Sequence, residues 1–106
     1  MTPDPKDPTS KVLLNAATAD TTGETLDTPG AKQITIFTTS SGVSTGATRT
    51  IEVKDPATGS WHTVDSLVST DAAFNEPVLY VGRAAAVRAS ISGYSDGTYT
   101  VSAGYL

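Results

Sequence analysis

The chain has no cysteine, a single histidine and a single tryptophan among its 106 residues. The missing thiols exclude a disulfide framework, thiolate metal sites and thiol nucleophiles, and they fit a protein assembled in the cytosol. Cations are few: seven Lys and Arg stand against eleven Asp and Glu, for a formal charge of −4. The basic residues are scattered from Lys6 to Arg88 without forming a stripe, which argues against nucleic acid as a partner. Unbroken apolar runs are short, Ala84–Val87 being among the longest. A membrane helix needs roughly 20 apolar residues, so no membrane partner is expected. The opening MTPDPKDPTS has no apolar run and does not read as a secretory signal. Helix signals are nearly missing too. One helical turn is expected over Asp65–Phe74, with Ser69-Thr70-Asp71 as its cap.

What is present is β alternation. Seven stretches read as strands: Lys11–Thr18, Lys32–Thr39, Ala47–Lys54, Ser60–Leu67, Val78–Gly82, Ala85–Ser92 and Thr98–Tyr105. Their faces separate cleanly. Ile34 and Ile36 oppose Thr35 and Phe37; Arg49, Ile51 and Val53 oppose Thr50, Glu52 and Lys54; Val87, Ala89 and Ile91 oppose Arg88, Ser90 and Ser92. In the closing strand Tyr99, Val101, Ala103 and Tyr105 share one face. Turn residues sit between these stretches: Thr28–Lys32 is a tight turn, Asp55-Pro56 and Gly59 bend KDPATGSW, and Ser40–Gly46 is a longer polar loop. Asp96-Gly97 is the dipeptide favoured in two-residue hairpins, so Ala47–Leu67 and Ala85–Leu106 are both expected to be hairpins. The pattern predicts an all-β antiparallel sandwich or jelly-roll-like barrel of about seven or eight short strands over residues 11–106. Residues 1–10, with Pro3, Pro5 and Pro8, read as an extended or disordered arm that could order on a neighbouring subunit. Apolar residues make up only 38% of the chain, so the core is small and a partner surface would add stability.

Chemistry is hard to find. His62 lies between Trp61 and Thr63 on a strand and reads as a surface or rim residue; no G-x-S-x-G nucleophile elbow exists to make it part of a triad. Asp55, Asp65, Asp71 and Asp96 are spread out and match no calcium-loop spacing. The glycines punctuate turns and build no phosphate cradle. The reading is therefore a non-enzyme with no cofactor and no metal. Trp61, Tyr80, Tyr94, Tyr99 and Tyr105 are candidates for a sugar-stacking platform. The bland alternative puts Trp61, Tyr99 and Tyr105 in the core and leaves Tyr94, beside the Asp96-Gly97 turn, as an exposed interface residue.

The order of the pieces resembles a known group. VLLNAATAD, GETLDTPG, KQITIFTT, TRTIEVKDPATGSWHTVDSL and AAAVRASISGYSDGTYTVSAGY together look like the small all-β structural proteins of tailed bacteriophage virions. The matching positions are Ile51, Val53, Trp61, Val87, Arg88, Ala89, Tyr94, Gly97, Thr98 and Val101, and the resemblance runs from Val12 to Tyr105. The Pro-rich start departs from the group, and Val68–Pro77 has no counterpart in it. The resemblance implies a virion structural protein assembled in the host cytoplasm: a capsid decoration (cement) protein that stabilises the head, or a tail, neck or baseplate component. Its partners would be the major capsid protein or other virion subunits, with the protein a homo-oligomer on the particle. A carbohydrate-binding or adhesive sandwich is the alternative. Interface candidates are Pro3, Pro5, Pro8, Tyr94, Tyr105 and Leu106, the last two either capping the core or touching a neighbour.

Overall fold

A computed structural model describes residues 9–42, 47–68 and 77–106. Pro3, Pro5 and Pro8 lie outside these residues. Eight strands are present: β1 (Ser10–Ala17), β2 (Thr21–Asp27), β3 (Gln33–Ser41), β4 (Thr48–Lys54), β5 (Trp61–Val68), β6 (Val78–Val81), β7 (Ala86–Ser92) and β8 (Thr98–Tyr105). They form two four-stranded sheets, the first ordered β1-β8-β3-β6 and the second β2-β7-β4-β5. Every pairing is antiparallel.

The pairings are nested. β1 pairs with β8, β2 with β7, β3 with β6 and β4 with β5. The chain thus runs as one long antiparallel ribbon with its tip at the β4–β5 turn. Wrapping the ribbon adds β3–β8 and β4–β7 and yields two facing sheets, the jelly-roll form of the sandwich. The expected β-sandwich is what the chain folds into, and its tip is the hairpin expected over Ala47–Leu67. Asp55 holds that turn: its Oδ1 accepts from Ala57 N at 2.8 Å and its Oδ2 from Thr58 Oγ1 at 3.0 Å. Gly59 supplies a φ of 76°.

The second expected hairpin does not form. β7 already has β2 on one edge and β4 on the other, and β8 has β1 and β3. Neither strand has an edge left for the other. The segment between them instead crosses from one sheet to the other. Gly93 and Gly97 take φ of 65° and 85°, Tyr94 N donates to Asp20 Oδ1 at 2.6 Å, and Tyr94 Oη donates to Gly97 O at 2.7 Å. The Tyr94 ring meets the buried Tyr99 edge-on, with centroids 6.3 Å apart. The helical turn expected from Asp65 is also corrected: Asp65–Val68 belongs to β5, where pairing with β4 satisfies the backbone. The rest of that expectation, residues 69–74, lies outside the described residues.

β2 was not expected as a strand. Its sequence TTGETLD buries only Leu26, too little to show alternation. Gly23 explains its placement. A Cβ there would run into Leu13 O and come within 2.8 Å of Leu14 Cδ2, so β2 crosses against β1 where no side chain fits. Leu13 and Leu14 are both buried although adjacent, because β1 shifts register between Val12 and Leu14.

The core follows the alternation. Ile34, Ile36, Ile51, Val87, Ala89, Tyr99 and Val101 are fully buried between the sheets. Among them lies one charge. Arg49 is 1% exposed, on the inner face of β4. Its Nη1 donates to Thr38 Oγ1 of the opposite sheet at 2.9 Å, and its Nη2 pairs with Asp65 of β5. Burial lowers the guanidinium pKa, and the Asp65 charge and hydrogen bond oppose that shift.

Two stability predictions arise from these contacts. Gly23→Ala is expected to cost about 1–3 kcal/mol in urea unfolding, because backbone rather than a flexible side chain stands in the way. Asp65→Ala strands the buried guanidinium and is expected to cost about 2–3 kcal/mol, whereas Arg49→Met combined with Asp65→Ala should recover most of that loss. Equal losses in the single and double variants would show that the ion pair does not matter to the core.

Candidate functional site

The two outer faces differ in character. On the second sheet, β4 presents Thr50, Glu52 and Lys54 while β7 presents Arg88 and Ser90. These groups satisfy one another. Arg88 Nε donates to Glu52 Oε1 at 2.9 Å, and its guanidinium lies 4.0 Å from the Trp61 ring centroid. Lys54 Nζ is 5.9 Å from the same ring. Trp61 is therefore half-buried on the outside of the sheet, which corrects its expected place in the core. Its register opposite Lys54, an outward position, puts it there. With Arg88 stacked on the ring, Trp61 is poorly suited to a sugar platform.

The outer face of the first sheet is less self-contained. Val12 and Phe37 both register with Ser102 and so stand in one row across the sheet. In the next row Ser10, Gly104, Thr35 and Leu79 are aligned, and beyond it Gln33 faces Val81. Phe37 is diagonal to Leu79, within reach of a large side chain. Phe37, Leu79 and Val81 are 53%, 56% and 72% exposed. Gly104 leaves the floor of this face bare, and a hollow of about 250 Å³ opens there, walled by Ser10, Thr35, Phe37 and Leu106. Leu106 is held by its backbone: its N donates to Gln33 O at 3.0 Å, and its O accepts from Lys32 N at 2.6 Å. Its side chain is 77% exposed. Apolar side chains around a shallow polar-floored hollow make a surface suited to burial against another protein.

The fold is shared with a solved structure. The chain matches the crystal structure of the SPBc2 prophage-derived protein YomS with a TM-score of 0.67 and 17% sequence identity, over 92% of each chain. At that identity the likeness is one of fold. No family model matches the chain, and neither does any curated protein.

Of the interface candidates among the described residues, Tyr105 and Leu106 border the same hollow and Tyr94 lies apart from it. Tyr94 is half-buried rather than exposed, because its ring, hydroxyl and amide are all engaged in the crossing described above. Tyr105 registers with Ile34 and packs against the core, while Leu106 stands on the rim of the hollow. Tyr99 is fully buried, as expected. His62 is exposed on β5, a surface position as expected, and among the described residues no group of three or more His, Cys, Asp or Glu could hold a metal ion. Among those residues, too, no helix is long and apolar enough to cross a membrane. Phe37 is the residue that sequence reasoning placed correctly but did not single out. An aromatic on the outward face of KQITIFTT, where Gln33, Thr35 and Thr39 otherwise stand, is the available signal.

Because Phe37 points away from the core, Phe37→Ser is expected to change unfolding free energy by no more than about 0.5 kcal/mol. A larger loss, read by urea titration, would mean that Phe37 serves the fold rather than a partner.

Proposed function

We propose that the chain is a non-enzymatic structural protein of a tailed-phage particle that docks on other virion subunits through the outer face of its first sheet. The apolar face formed by Phe37, Leu79, Val81 and Leu106 carries the proposal. Each large side chain moved from water into a contact would contribute about 1.5–3 kcal/mol. Repetition around a symmetric shell turns such modest contacts into a stable coat. Two further points support the phage setting: YomS, which shares the fold, is prophage-derived, and the sequence from Val12 to Tyr105 resembles small phage virion proteins. Within that setting the best-fitting role is a capsid decoration protein bound to the major capsid protein on the outside of the head. Such a role needs a compact sandwich and one adhesive face, with no active site.

The test is composition of purified particles. The protein is expected to co-purify with assembled virions in a copy number set by the head lattice. Phe37→Ser combined with Leu106→Ser should lower occupancy at least tenfold without unfolding the domain. Labelling at the tail rather than the head would move the protein to a neck or baseplate position, and its absence from particles would end the virion reading.

A further inference from the structure

A β-sandwich that is not closed has four edge strands, each a template for another chain unless something guards it. Here they are β1 and β6 in the first sheet and β2 and β5 in the second. Three are guarded twice. β1, β2 and β5 each carry a register shift, which disrupts the ladder, and each carries charge: Lys11 on β1, Glu24 and Asp27 on β2, Asp65 on β5. On the β1/β2 side the two edges are also tied together, since Lys11 Nζ pairs with Glu24 at 3.2 Å and donates to Thr25 O at 3.3 Å. β6 differs on both counts. Its sequence is VLYV, without charge or proline, and its pairing with β3 is regular from Ile36–Val78 to Gln33–Val81.

Beside β6 the sandwich gapes. A cleft of about 540 Å³ lies between β6 and β5, lined by Tyr80, Arg83, His62, Lys54, Asp55 and Thr63 among others. Its electrostatics are unusual for an acidic protein. Lys11, Arg49 and Arg88 are each paired with a carboxylate. Lys32, Lys54 and Arg83 have no carboxylate partner among the described residues; Arg83 lines this cleft, and Lys54 borders it with its Nζ turned toward Trp61. Its one carboxylate among the described residues, Asp55, is held by hydrogen bonds from Ala57 and Thr58 and stays below the usual carboxylate range. Those bonds direct its oxygens into the turn. Arg83 is presented by a tight exit from β6, where Gly82 takes a φ of 144° and Tyr80 Oη donates to Arg83 O at 3.3 Å.

We infer that β6 is a strand-addition site for an extended acidic segment of a partner protein. A strand laid along the edge of β6 that no described residue pairs with continues the first sheet. Its alternate side chains then point in two directions. Those on the outer side lie next to Leu79 and Val81 and are apolar. Those on the inner side enter the cleft toward Arg83 and are carboxylates. The inference rests on the docking reading above and names the chemistry of one contact within it.

The full-length protein is titrated with fluorescent eight-residue peptides alternating Val-Glu, Val-Gln or Val-Lys, with backbone amide shifts recorded by NMR. The Val-Glu peptide should bind at least tenfold more tightly than the Val-Gln peptide and should shift amides of Val78–Val81. Arg83→Glu should remove that preference and favour the Val-Lys peptide, a reversal that simple loss of structure cannot produce. Equal binding of the Glu and Gln peptides, or no shift in β6 at millimolar peptide, overturns the inference. So does concentration-dependent dimerisation abolished by Val81→Lys, which would make a second copy the occupant. Particle occupancy separates the two levels. If Arg83→Glu leaves occupancy unchanged while Phe37→Ser with Leu106→Ser lowers it, docking stands and the acidic strand falls.

Discussion

β8 pairs with β1, and the remaining ribbon pairings lie inside that one. This nesting is the constraint on which the rest depends. It occupies both edges of β3, β4, β7 and β8 and leaves four strands at the margins. It also means that no pairing other than β4–β5 can be closed by a short turn. Stability therefore comes from contacts distant in sequence, and the entropy of closing those loops must be met before burial rewards it. A core with only 38% apolar residues to draw on has little margin for error in register.

Arg49 shows how that register is specified. Apolar side chains such as Ile34, Ile51 and Val87 favour burial but tolerate many arrangements. A guanidinium buried on the inner face of β4 tolerates few. It needs Thr38 from the facing sheet and Asp65 from the neighbouring strand at the same time. Sliding either sheet by one residue would leave the charge without its partners, at a cost of several kcal/mol, a large fraction of a small domain's stability. The ion pair thus discriminates between packings more than it strengthens one. The register shift that places Asp65 opposite Ile51 belongs to the same device.

Much of this was legible before any coordinates. β3, β4, β7 and β8 each bury three or more alternating side chains, and alternation of that length identifies a strand and its inner face. β2 was illegible because Leu26 is its only buried side chain; its ladder partner β7 lies far from it in sequence. Asp96-Gly97 misled for the complementary reason. Local turn preference was outweighed by edges already filled by distant strands. Trp61 was misassigned because area alone suggests burial, whereas register puts it under Arg88. Of the outer face of the first sheet, Phe37 was readable as an aromatic beside the outward Gln33, Thr35 and Thr39. The edge character of β6 was not, since being an edge is a property of the whole strand order.

That last point bears on how the surface works. Among the described residues β6 is guarded by its shortness and by Pro77 at its start: four residues offer few main-chain hydrogen bonds, too few to hold a casual partner. A charge on its outer side chains would guard it better but would break the apolar face shared by Leu79, Val81 and Phe37. A charge at Tyr80 would point toward the core. The cation that could discriminate among partners is accordingly placed off the strand, at Arg83, where it leaves the apolar row intact. Weak main-chain pairing supplemented by charge selects against uncharged strands, including exposed segments of partly folded chains. Under the proposed strand addition, such an edge would favour a segment that brings the complementary carboxylates.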